Sequence, residues 1–348
     1  MTTTTSSSTT STTSTTIRQA PQPDLTAPLP PGPLGPRQGP AIVWTGTEVL
    51  VMIGTSQSGG GPDTTSAAAY NPATRTWRRL PDAPEAGWGH PAGVWTGTEA
   101  IIWGGADEAG GPGPVDIANN PPTDRWRTLP AGPFNMRTFN SAIWTGTEML
   151  VWGGYDISKP PPYHSAADGA AYNPTTNQWH LLAASPLDGR FAHTAVWTGT
   201  EMIIWGGVSG EENGAPISHQ GAAYTPATDT WRLLPDGPIP ARQWPTAEWT
   251  GTQVLVSAGP DLAAYDPTTD RWERLPSGPL PAAATAVWTG HELIAVSDTA
   301  VASYRPDTRT WRTLPGPSGL GLMYDGRLVW TGEVAFRFLI DRLVAVHP

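Results

Sequence analysis

A Trp-Thr-Gly tripeptide recurs at Trp44, Trp95, Trp144, Trp197, Trp249 and Trp288, and once more at Trp330. The first five intervals are 51, 49, 53, 52 and 39 residues. Self-similarity at such a period means one supersecondary unit copied along the chain, each copy burying its faces on its neighbours. A length of 348 residues would alone allow more than one domain. Repetition overrides that expectation, because mutually completing units form a single body.

Each copy carries further features in a fixed order. A short apolar segment ends in the Trp, as in Ala195-Val196-Trp197, and the turn Thr198-Gly199-Thr200-Glu201 follows. Next comes Met202-Ile203-Ile204-Trp205, apolar at consecutive positions and so expected as a strand buried on both faces. Gly206-Gly207 closes it, where backbones approach closely or take conformations that a Cβ resists. A variable loop leads to Tyr224-Thr225-Pro226, and a last strand carries Trp231 before Leu234-Pro235. Gly and Pro, at 39 residues each, suit many short strands joined by turns.

The ordered recurrence of Gly-Gly, Tyr and Trp over about residues 37–348 resembles the kelch repeats of galactose-oxidase-like and bacterial kelch proteins. The resemblance implies an all-β, kelch-type β-propeller of seven four-stranded blades, with six blades and a closing segment as the alternative. Some copies depart from the pattern: Ile53-Gly54 and Ala258-Gly259 keep one Gly, Ser297-Asp298 keeps neither, and Asn119 replaces the Tyr. Trp330 follows Trp288 by only 42 residues. The best alignment of this end puts Tyr324-Asp325-Gly326 in the first-strand turn, Arg327 to Trp330 in the second strand and Phe338 at the Tyr position. Residues 29–348 are the expected propeller. Residues 1–28, rich in Thr, Ser and Pro, are expected to be a disordered leader, unable to bury enough apolar surface to offset ordering. A Thr/Ser tract suits a stalk behind an export signal, so an extracellular or cell-surface location is one expectation and the cytoplasm the other.

The net charge of −10 and the single lysine, Lys159, leave no basic stripe, which argues against nucleic acid as a partner. No run of eighteen apolar residues occurs, so no membrane span is expected. No metal or other cofactor is expected: the histidines lack ligand spacing, and without cysteine a thiolate site cannot form. The acidic loop residues Asp107, Glu108, Asp156, Glu211 and Glu212 lack the pattern of a calcium loop.

Function is expected on the face that carries the variable loops and the crossings between blades. The loops over 55–66, 106–117, 155–168 and 208–220 are long, whereas the last three are short. By resemblance, the crossing arginines Arg137, Arg190 and Arg242 line the channel mouth. Guanidinium forks suit carboxylates; equally, each could hold a loop by its carbonyls. Trp88 and Trp244 lie in crossings outside the repeat pattern and could stack on a sugar or anchor a peptide, or fill space beneath a loop. His193 and Tyr155 complete the candidate set. The expected function is a non-catalytic binding module, monomeric, for a protein or glycan ligand, including acidic ones. A carbohydrate-active enzyme similar to the N-acetylneuraminate epimerase type is the alternative, with His193 and Glu211 or Glu212 as acid and base. A structural or surface-display protein is the third. Radical copper chemistry of the galactose-oxidase kind needs a cysteine, which the chain lacks.

Overall fold

A computed structural model describes residues 29–56, 65–84, 90–105, 115–134, 137–156, 164–210, 216–240, 242–280, 284–316, 327–339 and 342–348. These residues form six four-stranded antiparallel sheets and one larger three-stranded sheet, besides three short ribbons of two-residue strands, two of them two-stranded and one three-stranded. The four-stranded sheets span 41–80, 92–128, 141–181, 194–233, 246–275 and 285–314; the three-stranded sheet spans 328–346. Their first strands are Ala41–Trp44, Ala92–Trp95, Ser141–Trp144, Thr194–Trp197, Thr246–Trp249, Thr285–Trp288 and Leu328–Trp330. Each first strand packs on the next, and Leu328–Trp330 returns to Ala41–Trp44, so the sheets stand around an axis. The fold is an all-β propeller. Among the described residues no helix is long and apolar enough to cross a membrane.

The second strands are buried on both faces, as their continuous apolar runs predict. Met202–Trp205 is buried throughout and lies between Thr194–Trp197 and Gly221–Thr225. Gly221 sits opposite Trp205, and a Cβ there would come within 2.8 Å of the Ile204 carbonyl oxygen and 3.0 Å of the indole. The core is therefore divided among the gaps between sheets. One gap, for example, packs Leu50, Met52 and Ala69 of one sheet on Ile102 and Ile117 of the next.

The repeated Tyr and Trp join neighbouring sheets. The Tyr224 and Trp231 rings lie 4.9 Å apart, and Trp231 Nε1 donates to the Ala183 carbonyl in the preceding crossing at 2.9 Å. Trp126, Trp179, Trp272 and Trp311 donate in the same way to Pro81, Pro130, Pro235 and Pro276. Trp77 makes the equivalent bond to Pro30, at 3.1 Å.

The end of the chain corrects the alignment drawn from sequence. Thr331 N–H donates to the Val334 carbonyl, as Thr45 does to Glu48 and Thr198 to Glu201. Trp330 therefore closes a first strand like the other six tryptophans. Ala335–Phe338 is the second strand of that sheet, and Leu343–Val346 the third. The turn chemistry of Trp-Thr-Gly decides where the chain reverses, and the shorter interval before Trp330 does not alter it. Leu29 and Leu34 pack against this sheet beside Phe336, Phe338 and Leu343. The leader expected over 1–28 lies outside the described residues.

Candidate functional site

The residues before each first strand approach the propeller axis and form one mouth of its channel. The fifth residue before each Trp is Gly39, His90, Phe139, Ala192 or Trp244 in the five sheets where it is described. All five are left-handed, with φ of 57°, 65°, 56°, 52° and 58°. Glycine is relaxed there; a residue with a Cβ is strained by about 1 kcal/mol. The backbone at this level is stitched from sheet to sheet, with His90 N–H on the Gly39 carbonyl at 3.2 Å and Trp244 N–H on that of Ala192 at 2.9 Å.

The strained rings gather on one side. His90 and Phe139 lie 4.4 Å apart, and Trp244 meets Phe139 edge-on at 5.0 Å. Tyr155 is buried behind them and stacks on Phe191 at 3.7 Å. Together they form an aromatic wall above the first strands.

The mouth opens into a cavity of about 400 Å³, lined from every sheet. His90, Phe139, His193 and Trp244 line one side, and Asp298, Arg327 and Arg337 the other, with Glu248 in the wall between the first strands. His193 Nε2 lies 2.9 Å from Ser141 Oγ, and its ring meets Trp152 edge-on at 5.1 Å. Burial, aided by the nearby Arg190 and Arg327 charges, holds the imidazole neutral, with its pKa pushed down to about 3. Glu248 Oε2 accepts the Trp288 N–H at 3.2 Å. Glu248 is half-buried and lines the cavity. Removal from water pushes the carboxyl up to about 7, against the opposing effects of that N–H and of Arg327.

Of the seven residues expected from sequence to bind, His193 and Trp244 line this cavity. Arg137, Arg190, Arg242 and Tyr155 lie outside its wall. Trp88 falls outside the described residues, as do Glu211, Glu212, Asp107 and Glu108. Arg190 is fully buried, donating to the carbonyls of Asp188, Gly206 and Gln220 at 3.2, 3.1 and 3.0 Å. Burial lowers its pKa to about 10, so it stays charged at neutral pH. Arg37 holds the carbonyls of Gly35, Ile53 and Ser66 in the same manner. Arg137 is buried against the Phe134 ring and pairs with Asp168 at 2.7 Å. Arg242 is half-buried, and its carbonyl accepts the Gly207 N–H at 3.4 Å. The donors of Arg137 and Arg190 thus fasten the ends of second and third strands.

Glu248 and Arg327 stand outside the residues expected from sequence, although the repeat marks both. The residue before the Trp is Val43, Val94, Ile143, Val196, Val287 or Val329 in six copies and Glu248 in the other. Three residues before the Trp, Arg327 replaces the Ala, Ser or Thr of the other copies. The constant features of the repeat point away from both, because each is a departure from it.

Neither a protein-family model nor a curated protein matches this sequence. Among solved structures, that of YjhT is similar, with a TM-score of 0.59 over 82% of this chain and 99% of the other. The two are 15% identical, so the likeness is one of fold.

Proposed function

We propose that this protein is a binding module of the kelch type that takes a small polyhydroxylated ligand, a free sugar or the end of a glycan, into the axial cavity from the variable-loop face. The observation that carries this reading is the aromatic wall. His90, Phe139 and Trp244 are held at left-handed positions where glycine would be relaxed, and their rings face the cavity. Strain of this kind persists where the surrounding structure enforces it, and it gathers at ligand sites. Aromatic faces opposite hydrogen-bonding groups suit a sugar ring, and the volume suits one or two such rings. The test is a glycan-binding screen of the wild type, then titration of each hit with Trp244→Ala. Loss of an anchoring ring should weaken binding about tenfold or more. Equal affinity of wild type and variant would remove the wall from the site.

A carbohydrate-active enzyme is the second reading, favoured by one observation: Glu248 is a carboxyl poised near neutrality in a cavity wall, as a general acid or base must be. NMR of N-acetylneuraminate mutarotation tests the epimerase-like version. No acceleration over buffer would end it.

A further inference from the structure

One seam between sheets keeps the acceptors for an arginine and lacks the arginine. The residue after the fourth-strand Trp is Arg78, Arg127, Arg232 or Arg312 in four sheets, Glu273 in one and His180 in the sheet over 141–181. Two of these arginines show what the position holds. Arg127 donates to the Glu99 carboxylate of its own turn, then through Nη1 to the Tyr172 hydroxyl and Asn177 Oδ1 of the next sheet at 3.0 and 3.4 Å. Arg232 donates to the Glu201 carboxylate, then to the Tyr265 hydroxyl and Asp270 Oδ1 of the next sheet at 2.8 and 2.9 Å. Each guanidinium is held by a turn carboxylate on one side and by a Tyr hydroxyl and its acceptor on the other.

At His180 the same acceptors are present. Glu148 is the turn carboxylate, and its Oε1 accepts the Asn173 amide at 3.3 Å. Across the seam the Tyr224 hydroxyl donates to Asp229 Oδ1 at 2.8 Å, as that of Tyr265 does to Asp270 at 2.6 Å. The Ala183 N–H donates to the same Asp229 oxygen at 2.8 Å, and these two bonds hold the carboxyl below the usual carboxylate range. Among the described residues neither Glu148 nor Asp229 forms an ion pair. His180 is exposed, bonds to neither of them, and acts on Asp229 only at a distance.

The same rim exposes apolar side chains. Two residues past the fourth-strand Trp stand Arg79, Thr128, Arg274 and Thr313 in four sheets, but Leu181 and Leu233 in the two sheets that flank this seam. These leucines are 59% and 55% exposed. Side chains two apart on a strand share a face, so Leu233 points with Trp231, whose ring lies 6.1 Å from Trp152 across the seam. Thr230–Leu233 is the outermost strand of its sheet. Charged side chains ordinarily guard such an edge, and here leucine stands in the guarding place. Leu233 is at most about 13 Å along the chain from Asp229.

We propose that the seam between the sheets over 141–181 and 194–233 is a docking surface for an extended, arginine-bearing segment of a partner protein. The arginine enters between Glu148 and Asp229, whose charges complement its own and whose oxygens suit a guanidinium fork. The segment lies along Thr230–Leu233 as an added strand, and an apolar side chain about four residues from the arginine covers Leu233. None of these residues lines the axial cavity, so the surface is independent of what binds there.

The test is NMR titration of the isotope-labelled full chain with the peptide acetyl-Arg-Thr-Val-Thr-Leu-amide, and with the same peptide carrying neutral citrulline in place of arginine. The arginine peptide should shift the Ala183 amide and Trp231 indole signals, which report on this seam, at concentrations up to about 5 mM. The citrulline peptide should bind about tenfold more weakly or worse. His180→Arg restores the residue type of the other seams and fills the place from within. It should abolish the shifts while raising the melting temperature by about 2 °C, so that lost binding is not lost folding. Glu148→Gln keeps an acceptor for Asn173 and should weaken the arginine peptide toward the citrulline level. Equal binding of the two peptides would overturn the proposal, as would binding undiminished by His180→Arg, which would mark general attraction to an acidic chain. Absence of any shift at about 5 mM of the arginine peptide would overturn it as well.

Discussion

The two ends of the propeller are built from the same repeat on different terms. At the turn end, side chains complete one another. In six turns the threonine after the Trp accepts an N–H three residues on at 2.9 or 3.0 Å, and Thr331 does so at 3.3 Å. Glu48, Glu99, Glu201 and Glu292 pair with Arg78, Arg127, Arg232 and Arg312 of their own sheets. Arg127 reaches on to the Tyr172 hydroxyl of the next sheet, and Arg232 donates to the Tyr265 hydroxyl and the Asp270 carboxylate. At the loop end, one repeat position holds Gly, His, Phe, Ala and Trp in turn. Thr246 Oγ1 and Asn140 Oδ1 are buried there without hydrogen-bond partners among the described residues. The contrast teaches where to look in a repeat protein. A position kept constant usually satisfies its neighbours, and a position that breaks the pattern leaves groups for something outside the chain.

The contrast can be tested by stability, beginning with the largest effect. Arg190 belongs to the loop end by position and to the scaffold by its contacts. Arg190→Ala leaves three carbonyls without their donor and should lower the unfolding free energy by about 3 kcal/mol, read from urea melts. A loss below 1 kcal/mol would mean that the loop end is not fastened beneath its variable surface.

The second test separates the opposed titrations of the cavity. His193 binds a proton less readily folded than unfolded, so its contribution to stability declines as pH falls from about 6.5 toward 3. Glu248 binds one more readily folded, so its contribution declines as pH rises from about 4.5 to 7. Between about pH 4.5 and 6.5 the two slopes oppose each other. His193→Gln should expose the Glu248 slope, with stability falling by about 2 kcal/mol as pH rises through that window. A flat profile in the variant would show that the Glu248 carboxyl is not held near neutrality. At the turn end, Thr198→Ala removes one local capping bond and should cost about 1 kcal/mol at any pH between these limits. A pH-dependent effect there would break the distinction between the two ends.

Much of the fold was legible because it depends on patterns the chain states repeatedly. The buried second strands follow from runs such as Met202 to Trp205, and the sheet contacts from the recurring Tyr and Trp. Spacing is a poor guide at Trp330, because it varies with loop length while the Thr-to-residue turn bond does not. The site was less legible. An arginine near a channel mouth reads alike whether it faces a ligand or a carbonyl, and only the buried partners of Arg190 decide its contacts. The left-handed backbone that turns Phe139 and Trp244 inward is invisible in side-chain identity. Glu248, by contrast, was in view all along as a lone acid in an aliphatic column.

The bond from Trp77 to Pro30 and the packing of Leu29 and Leu34 on Phe336, Phe338 and Leu343 have a kinetic consequence. One face of the sheet over 41–80 exposes Ile42, Val51 and Tyr70 until residues almost three hundred positions later arrive to cover it. The other gaps are filled by the next sheet made. A growing chain therefore carries one unsheltered apolar face through most of its synthesis, and loop closure for that contact comes late. Premature self-association should begin at this seam, and a circular permutant opened elsewhere in the ring would move the vulnerable seam with the cut.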